Sequence, residues 1–397
     1  MYKFLPAFSL ALTAFAVLSS AQAASYKIAV LGMMSGEGAG YGTSMKSSAE
    51  LALKQQASAL KALGLDISLV HFDDQGSAVR GREMASRILA DKSIVGVVGA
   101  LDSSVSSVLG QMFAAEKLAT VSPSSTNDTL TTPNWPHFSR VVAPDRAQSV
   151  AAADYLVQSL KAKSVYVVSD NTAYGNGLSK TVMAALTARQ VAVRGYAGAS
   201  TPSQISYAVK QIKSSGVPVV FYAGSQDVGE PLVQAIRAAG IQAVIMAGDG
   251  IDGAKFLQQG DKATIGLTYT TVFGPLSSFS NALNFTSSYR ATYKSAPFSA
   301  SAYIYDATLV MLTALKNSAA AAGGKPLTRP QVSAAVRKVS LPACFAGNTS
   351  DCLTITGAIS FSPTGERTLS KVLIMQVDDT FQLKVAKIQN VNAKDLK

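Results

Sequence analysis

The chain has 397 residues, of which 48% are hydrophobic and 15% charged, and a formal charge of +11. That length accommodates about two domains, and the hydrophobic content excludes an intrinsically disordered chain. Two histidines and two cysteines exclude a Cys/His-rich zinc module, while the basic surplus makes nucleic-acid binding the first class to test.

The N-terminus reads as a targeting segment. Lys3 is a minimal positive start, Leu5 to Leu18 is almost wholly apolar, and Ala21-Gln22-Ala23 offers a small-residue cleavage site. This three-part pattern predicts a secretory signal over residues 1–23. The alternative, a retained anchor, is disfavoured because the apolar run is short for a span of about 20 residues. No cysteine follows the cleavage site, so a lipid anchor is not expected. The predicted address is periplasmic or otherwise extracytoplasmic.

Strand-like and helix-like stretches then alternate. Strands are predicted over Tyr26–Met33, Ile67–Phe72, Ile94–Gly99 and Ala119–Ser122, with helices over Gly42–Leu63, Val79–Asp91 and Ser104–Lys117. The pattern restarts with a helix over Ala147–Leu160. Strands follow at Ser164–Val168, Val191–Tyr196, Val219–Ala223 and Ala243–Ala247, separated by helices at Gly177–Ala188, Tyr207–Ser214 and Val228–Ala239. A helix over Asp306–Ala320 and a hairpin-like end over Gly357–Lys387 complete the chain. Near-continuous apolar strands between helices mean parallel sheets covered on both faces. The predicted fold class is therefore α/β, with two doubly wound parallel-sheet lobes. Such sheets bind ligands outside the carboxyl ends of their strands, so the site is expected in a cleft between the lobes. In an oxidising compartment, Cys344 and Cys352 are expected to form a disulfide whose effect on so short a loop is local.

Several chemistries fail on spacing. The glycine run Gly36 to Gly42 lacks G-x-G-x-x-G, since Tyr41 and Thr43 stand where the third glycine would be. No phosphate loop and no G-x-S-x-G elbow occur. The glycines read instead as a tight turn that approaches a ligand closely, and no cofactor is expected. His71 and His137 read as solvent-exposed or core-edge residues. Lys and Arg are scattered, without the stripe that nucleic acid requires. What remains is a pair of hydroxyl-rich strand ends, Leu101-Asp102-Ser103-Ser104 and Ser122-Pro123-Ser124-Ser125-Thr126-Asn127. Free N–H groups and the dipole at a helix start attract a carboxylate. Ordinary N-capping by Asp102 or Ser103 explains the same residues.

At these strand ends the sequence resembles the leucine/isoleucine/valine-type periplasmic binding proteins, the type I receptors of branched-chain amino acid ABC importers. The resemblance runs through KIAVLGMMSGEGAGYG (27–42), VGVVGALDSSVSSVLGQMF (95–113), VSPSSTNDTLT (121–131), DNTAYGNGL (170–178) and FYAGSQDVGEPLVQAIRAAG (221–240). It implies two lobes that close on a hinge, one over 25–144 plus 274–365 and the other over 145–273 plus 366–397. It also implies how an amino acid would be held. Ser103 and Thr126 would bind the α-carboxylate. The Ser124 carbonyl and Asp249 would take the α-ammonium, and Tyr41 and Tyr174 would pack on the ligand from the two lobes. Tyr303 is a looser candidate for a pocket wall.

Three departures from the family pattern stand out. Asp102 occupies a position where members carry a disulfide cysteine, and it reads as a helix cap pointing away. Ser225 and Gln226 stand where a tyrosine is usual, which implies a more polar side-chain pocket. Asp249 replaces a longer glutamate. The implied function is an exported, monomeric, non-enzymatic receptor that captures an amino acid and delivers it to a membrane permease and its ATPase. The alternatives are an extracytoplasmic sensor, or a receptor for small amides, urea or aromatic acids.

Overall fold

The computed structural model describes residues 24–257, 259, 261–344 and 352–396. The predicted signal over 1–23 and the turn-rich loop between the cysteines lie outside them. The elements of the first half are β1 (Ala24–Gly32), α1 (Ala39–Ala62), β2 (Leu65–Asp73), α2 (Ala78–Ala90), β3 (Ile94–Val98), α3 (Ser103–Phe113), β4 (Ala119–Ser122) and β5 (Phe138–Arg140). They form one parallel sheet in the order β2-β1-β3-β4-β5. Every residue of β3 and β4 is buried, as both faces of a covered parallel sheet require.

The second unit runs α4 (Asp145–Gln158), β6 (Ser164–Ser169), α5 (Ala173–Ala188), β7 (Ala192–Gly198), α6 (Pro202–Ser215), β8 (Val219–Ala223), α7 (Gln226–Ala238), β9 (Val244–Ala247) and β10 (Thr268–Thr271). Next come α8 (Ala282–Tyr293), α9 (Ser301–Ala322), α10 (Arg329–Arg337), β11 (Ser340–Leu341), β12 (Ile359–Ser360), β13 (Leu369–Val377) and β14 (Leu383–Asn392). The second sheet has the order β14-β13-β10-β9-β8-β6-β7. Its β10-β9-β8-β6-β7 part is parallel, and the β13–β14 hairpin closes its edge antiparallel. The predicted hairpin over 357–387 is thus real, but it starts at Leu369 and ends at Asn392. Two α/β lobes result. Helix α9 packs on α1, α10 packs on α9, and both pack on strands of the first sheet, although they follow β6 to β10 of the second lobe in sequence. Among the described residues no helix is long and apolar enough to cross a membrane.

Local signals account for most element ends. Thr201 caps α6, Pro202 opens it, and Gly216 in the left-handed region ends it. One glycine of the early run is sterically required. A Cβ on Gly42 would lie 2.3 Å from the Met33 carbonyl oxygen, so α1 can sit on the exit of β1 only with glycine there. Helix α1 begins at Ala39, three residues before the predicted start, and carries Tyr41 in its first turn. Cys344 and Cys352 form the expected disulfide. His137 is buried, with its Nε2 2.9 Å from the Gly110 carbonyl oxygen.

A buried ion pair ties the end of β5 to a segment 226 residues later in the chain. Arg140 ends β5 and is fully buried. Its Nε and Nη2 donate to the Glu366 carboxylate at 2.7 and 2.5 Å, and its Nη1 donates to the carbonyls of Ser125 and Asn127 at 3.2 and 2.8 Å. The fork geometry satisfies both carboxylate oxygens at once, and the same guanidinium fixes the loop that carries Ser124 and Thr126. Breaking a buried pair leaves an uncompensated charge, at roughly 3–5 kcal/mol. Glu366→Ala should therefore lower unfolding stability by about 3–5 kcal/mol in urea titration. A loss below about 1 kcal/mol, the scale of an exposed pair, would contradict this role.

Candidate functional site

Strand order reverses at one point in each sheet, and both points open on the same cleft. In the first sheet β1 lies between β2 and β3, so the loops after β1 and β3 diverge. In the second, β6 lies between β7 and β8. The crevice outside such a reversal is where open α/β sheets bind ligands. Here the four loops line one cavity of about 590 Å³. The loops after β1 and β3 supply Ser35, Gly36, Gly38 and Leu101 to Ser103, and those after β6 and β8 supply Asp170, Thr172 and Ser225 to Asp227.

The first-lobe wall is a set of hydroxyls. Ser103 opens α3, is 3% exposed, and its Oγ accepts from the Asn127 N–H at 3.3 Å. Thr126 is 2% exposed and lines the cavity beside Ser124. Beneath them Ser122 Oγ donates to the Ala100 carbonyl and accepts from the Ser125 N–H, both at 2.9 Å. These bonds and the Arg140 clamp fix the loop backbone. Asp102 caps α3, accepting from the N–H groups of Ser104 and Val105 at 2.6 and 3.3 Å. It does not point away as expected. It also lines the cavity, and burial pushes its carboxyl above the usual range.

The second-lobe wall centres on Asp249, in the turn after β9. It is 7% exposed. Its Oδ1 accepts from the Tyr174 hydroxyl at 2.6 Å and from Gln148 Nε2 at 2.9 Å. The Gln148 Oε1 accepts from Thr270 Oγ1 at 2.8 Å, which fixes the amide's orientation. Tyr174 lies in the first turn of α5, where Thr172 caps the helix, and its hydroxyl also accepts from the Gly250 N–H at 3.0 Å. All the groups that hold Asp249 are neutral. Burial, the largest influence, pushes its carboxyl up to about 6. Asp145, at the start of α4, is fully buried and has an Oδ2 without a hydrogen-bond partner. Burial and then the Asp249 charge hold it well above the usual carboxylate range.

Tyr41, Ser103, Ser124, Thr126, Tyr174 and Asp249 all lie on this one cavity, with Ser225 and Gln226. Tyr41 reaches across the cleft, where its hydroxyl donates to the Asp252 carbonyl at 3.4 Å and its ring meets Phe298 edge-on at 5.0 Å. Tyr303 is not a wall. It is buried behind Phe273, bonded through its hydroxyl to the Val272 carbonyl at 2.6 Å, and it braces the Phe273 ring that does line the cavity. Sequence reasoning missed Gln148, Asp145, Asp252 and Phe298. A signal existed for the first two, because Asp145 and Gln148 are spaced i, i+3 on one face of a helix otherwise rich in buried alanine.

Asp249 also sets a pH dependence. Its folded-state carboxyl titrates near 6 against 3.8 for the free side chain. The folded chain therefore holds this proton more tightly than the unfolded one, and ionisation costs stability as pH rises through that window. The stability of Asp249→Asn relative to wild type should grow by up to about 3 kcal/mol between about pH 3 and about pH 7.5, in ligand-free denaturation measured across pH. A gap constant over that range would contradict the assignment.

The model of a family described as periplasmic binding protein matches residues 25–382. The Leu/Ile/Val-binding protein homolog 3 of Brucella melitensis biotype 1 is 28% identical over 264 residues, covering 66% of this chain and 71% of that protein. Among solved structures, a leucine binding protein from Thermotoga maritima aligns with a TM-score of 0.79 at 23% identity, over 93% of this chain and 99% of that one. A solute binding protein of an ABC transporter from R. palustris, in complex with benzoate, aligns with a TM-score of 0.77 at 16% identity, over 94% and 98%. At these identities the structural neighbours establish the fold.

Proposed function

The chain belongs to the periplasmic binding protein family, and from that premise we propose that it is an exported receptor for an α-amino acid, which it delivers to an ABC importer. The single observation that carries this reading is the pairing of opposite chemistries across one cavity. Asp249 is a buried carboxylate held only by neutral donors, and the hydroxyls of Ser103 and Thr126 stand on the opposing wall. A zwitterion removed from water needs an anion for its ammonium and donors for its carboxylate. Ser103 and Thr126 would bind the carboxylate, and Asp249 with the Ser124 carbonyl would bind the ammonium. Tyr41 and Tyr174 would close over the remainder.

The lobes would comprise 25–144 plus 274–365 and 145–273 plus 366–397, closing by hinge motion around the ligand. The packing of α9 and α10 on the first sheet and of β13–β14 on the second supports that division. Closure would be what a permease and its ATPase sense, and the receptor would act as a monomer without catalysis. The signal-like segment over 1–23 supports the extracytoplasmic address. An aromatic acid, such as the benzoate held by one structural neighbour, is less compatible. It brings an anion and no cation to a wall that, among the described residues, is lined by aspartates and by neither Lys nor Arg.

The test is a thermal-shift screen of the chain lacking residues 1–23, refolded to strip ligand, against amino acids, amides and organic acids. A true ligand at 100 times its dissociation constant adds about 2.7 kcal/mol. Asp249→Ala should weaken amino acid binding by about 100-fold, on the order of 2.7 kcal/mol, while the ligand-free variant still melts cooperatively. Shifts with amides or acids alone, or unchanged affinity in the variant, would overturn the reading.

A further inference from the structure

Helix α5 carries two glycines, Gly175 and Gly177, although glycine inside a helix is destabilising relative to alanine. Gly175 is explained within its own lobe. A Cβ there would lie 2.2 Å from Asp170 Oδ1 and 2.6 Å from the Ala223 carbonyl oxygen. Gly177 is explained by the other lobe. The three atoms nearest to a Cβ on Gly177 all belong to Asn127, with Nδ2 at 2.4 Å, Cγ at 3.0 Å and Oδ1 at 3.4 Å. Asn127 follows β4 in the first lobe, whereas α5 belongs to the second. Its Nδ2 donates to the Ala173 carbonyl at 2.5 Å, and Ala173 lies one helical turn before Gly177. An amide of one lobe thus sits in a socket on a helix of the other.

The amide is pinned on its own side. Its Oδ1 accepts from the Thr129 N–H and hydroxyl at 2.8 and 2.7 Å, which also fixes which amide atom faces α5. The Asn127 N–H donates to Ser103 Oγ at 3.3 Å, and its carbonyl accepts from Arg140 Nη1 at 2.8 Å. The residue is 4% exposed. Each of these bonds lies within the first lobe, so the side chain cannot turn away from α5 without breaking them. A methyl group at position 177 would therefore push the lobes apart. Neither Asn127 nor Gly177 lines the cavity, whereas their neighbours Thr126 and Tyr174 do. The contact adjoins the site without touching what the site holds. In this it differs from Tyr41, whose hydroxyl also crosses the cleft but whose residue lines the cavity.

We propose that Asn127 and the Gly177 socket form a latch between the lobes, which sets the balance of open and closed forms without touching the ligand. Protein groups alone make this contact, so it holds a measurable closed fraction in the empty chain. Apparent affinity scales with that fraction. The inference rests on the lobe closure described above and not on the class of ligand. The test is pulsed electron spin resonance on the refolded, ligand-free chain lacking residues 1–23, with its native disulfide oxidised. Spin labels at Val79→Cys and Tyr207→Cys occupy exposed positions in the first two turns of α2 and α6, one on each lobe. Two distance populations are expected, and Gly177→Ala should lower the ratio of short to long at least fivefold. In a chain that also carries Asn127→Ala, Gly177→Ala should lower it less than twofold, because the amide that the new methyl would strike is gone. A single long distance in the labelled chain without further substitution would overturn the latch. So would a ratio unchanged by Gly177→Ala, or an equal loss in both backgrounds. No ligand is present in the measurement, so each of these results leaves the amino acid reading standing.

Discussion

A buried carboxylate with no cationic partner among the described residues is the feature around which this molecule is organised. Asp249 has lost most of its contact with water, and its partners, the Tyr174 phenol and the Gln148 amide, carry no charge. Two neutral hydrogen bonds only partly offset the desolvation of an ionised group. The arrangement is costly in the free protein and becomes favourable when an ammonium arrives, which is the sense in which a receptor site is preorganised.

The scaffold's contribution is to hold that carboxylate and the opposing hydroxyls at a set separation. Both walls stand on strand ends at or next to the points where sheet order reverses, so short loops from two sheets converge on the cleft. The loop carrying Ser124 and Thr126 is anchored from below by Arg140, and Arg140 by Glu366, 226 residues away in sequence. On the other side, Gln148 reaches from α4 to both Thr270 and Asp249. Bonds that cross the cleft, from Tyr41 to Asp252 and from Asn127 Nδ2 to the Ala173 carbonyl at 2.5 Å, are of the kind that lobe motion would make and break. Among the described residues no Lys or Arg lines the cleft, so the surplus of positive charge lies elsewhere on the chain.

Much of this was legible in the sequence. Apolar runs such as Ile94–Val98 and Val219–Ala223 can only be covered strands, and hydroxyl-rich segments directly after such runs mark the crevice. The strand Phe138–Arg140 was missed because three residues give no periodicity and Pro136 precedes them. Helices over 282–293 and 329–337 escaped because their apolar faces are thin and interrupted by polar residues. Asp145 and Gln148 were hidden for a different reason. Polar residues in the first turn of a helix ordinarily satisfy that helix, and only the tertiary approach of the turn after β9 makes these two neighbours of Asp249. Asp102 carries both meanings at once, since a cap at the end of β3 is necessarily at the mouth of the crevice. The aspartate wall could not be read from sequence at all. Its five members, Asp102, Asp170, Asp227, Asp249 and Asp252, are spread over about 150 residues of chain and meet only when the two lobes face each other.

The most direct measurement is the identity of what the native protein holds. The chain, purified under non-denaturing conditions and released from its ligand by acid, would be examined by mass spectrometry for small molecules in equimolar amount. The account predicts a compound bearing both a primary amine and a carboxylate, absent from an Asp249→Ala preparation made in parallel. An equimolar ligand without an amine, such as an aromatic acid, retained by that variant, would contradict it.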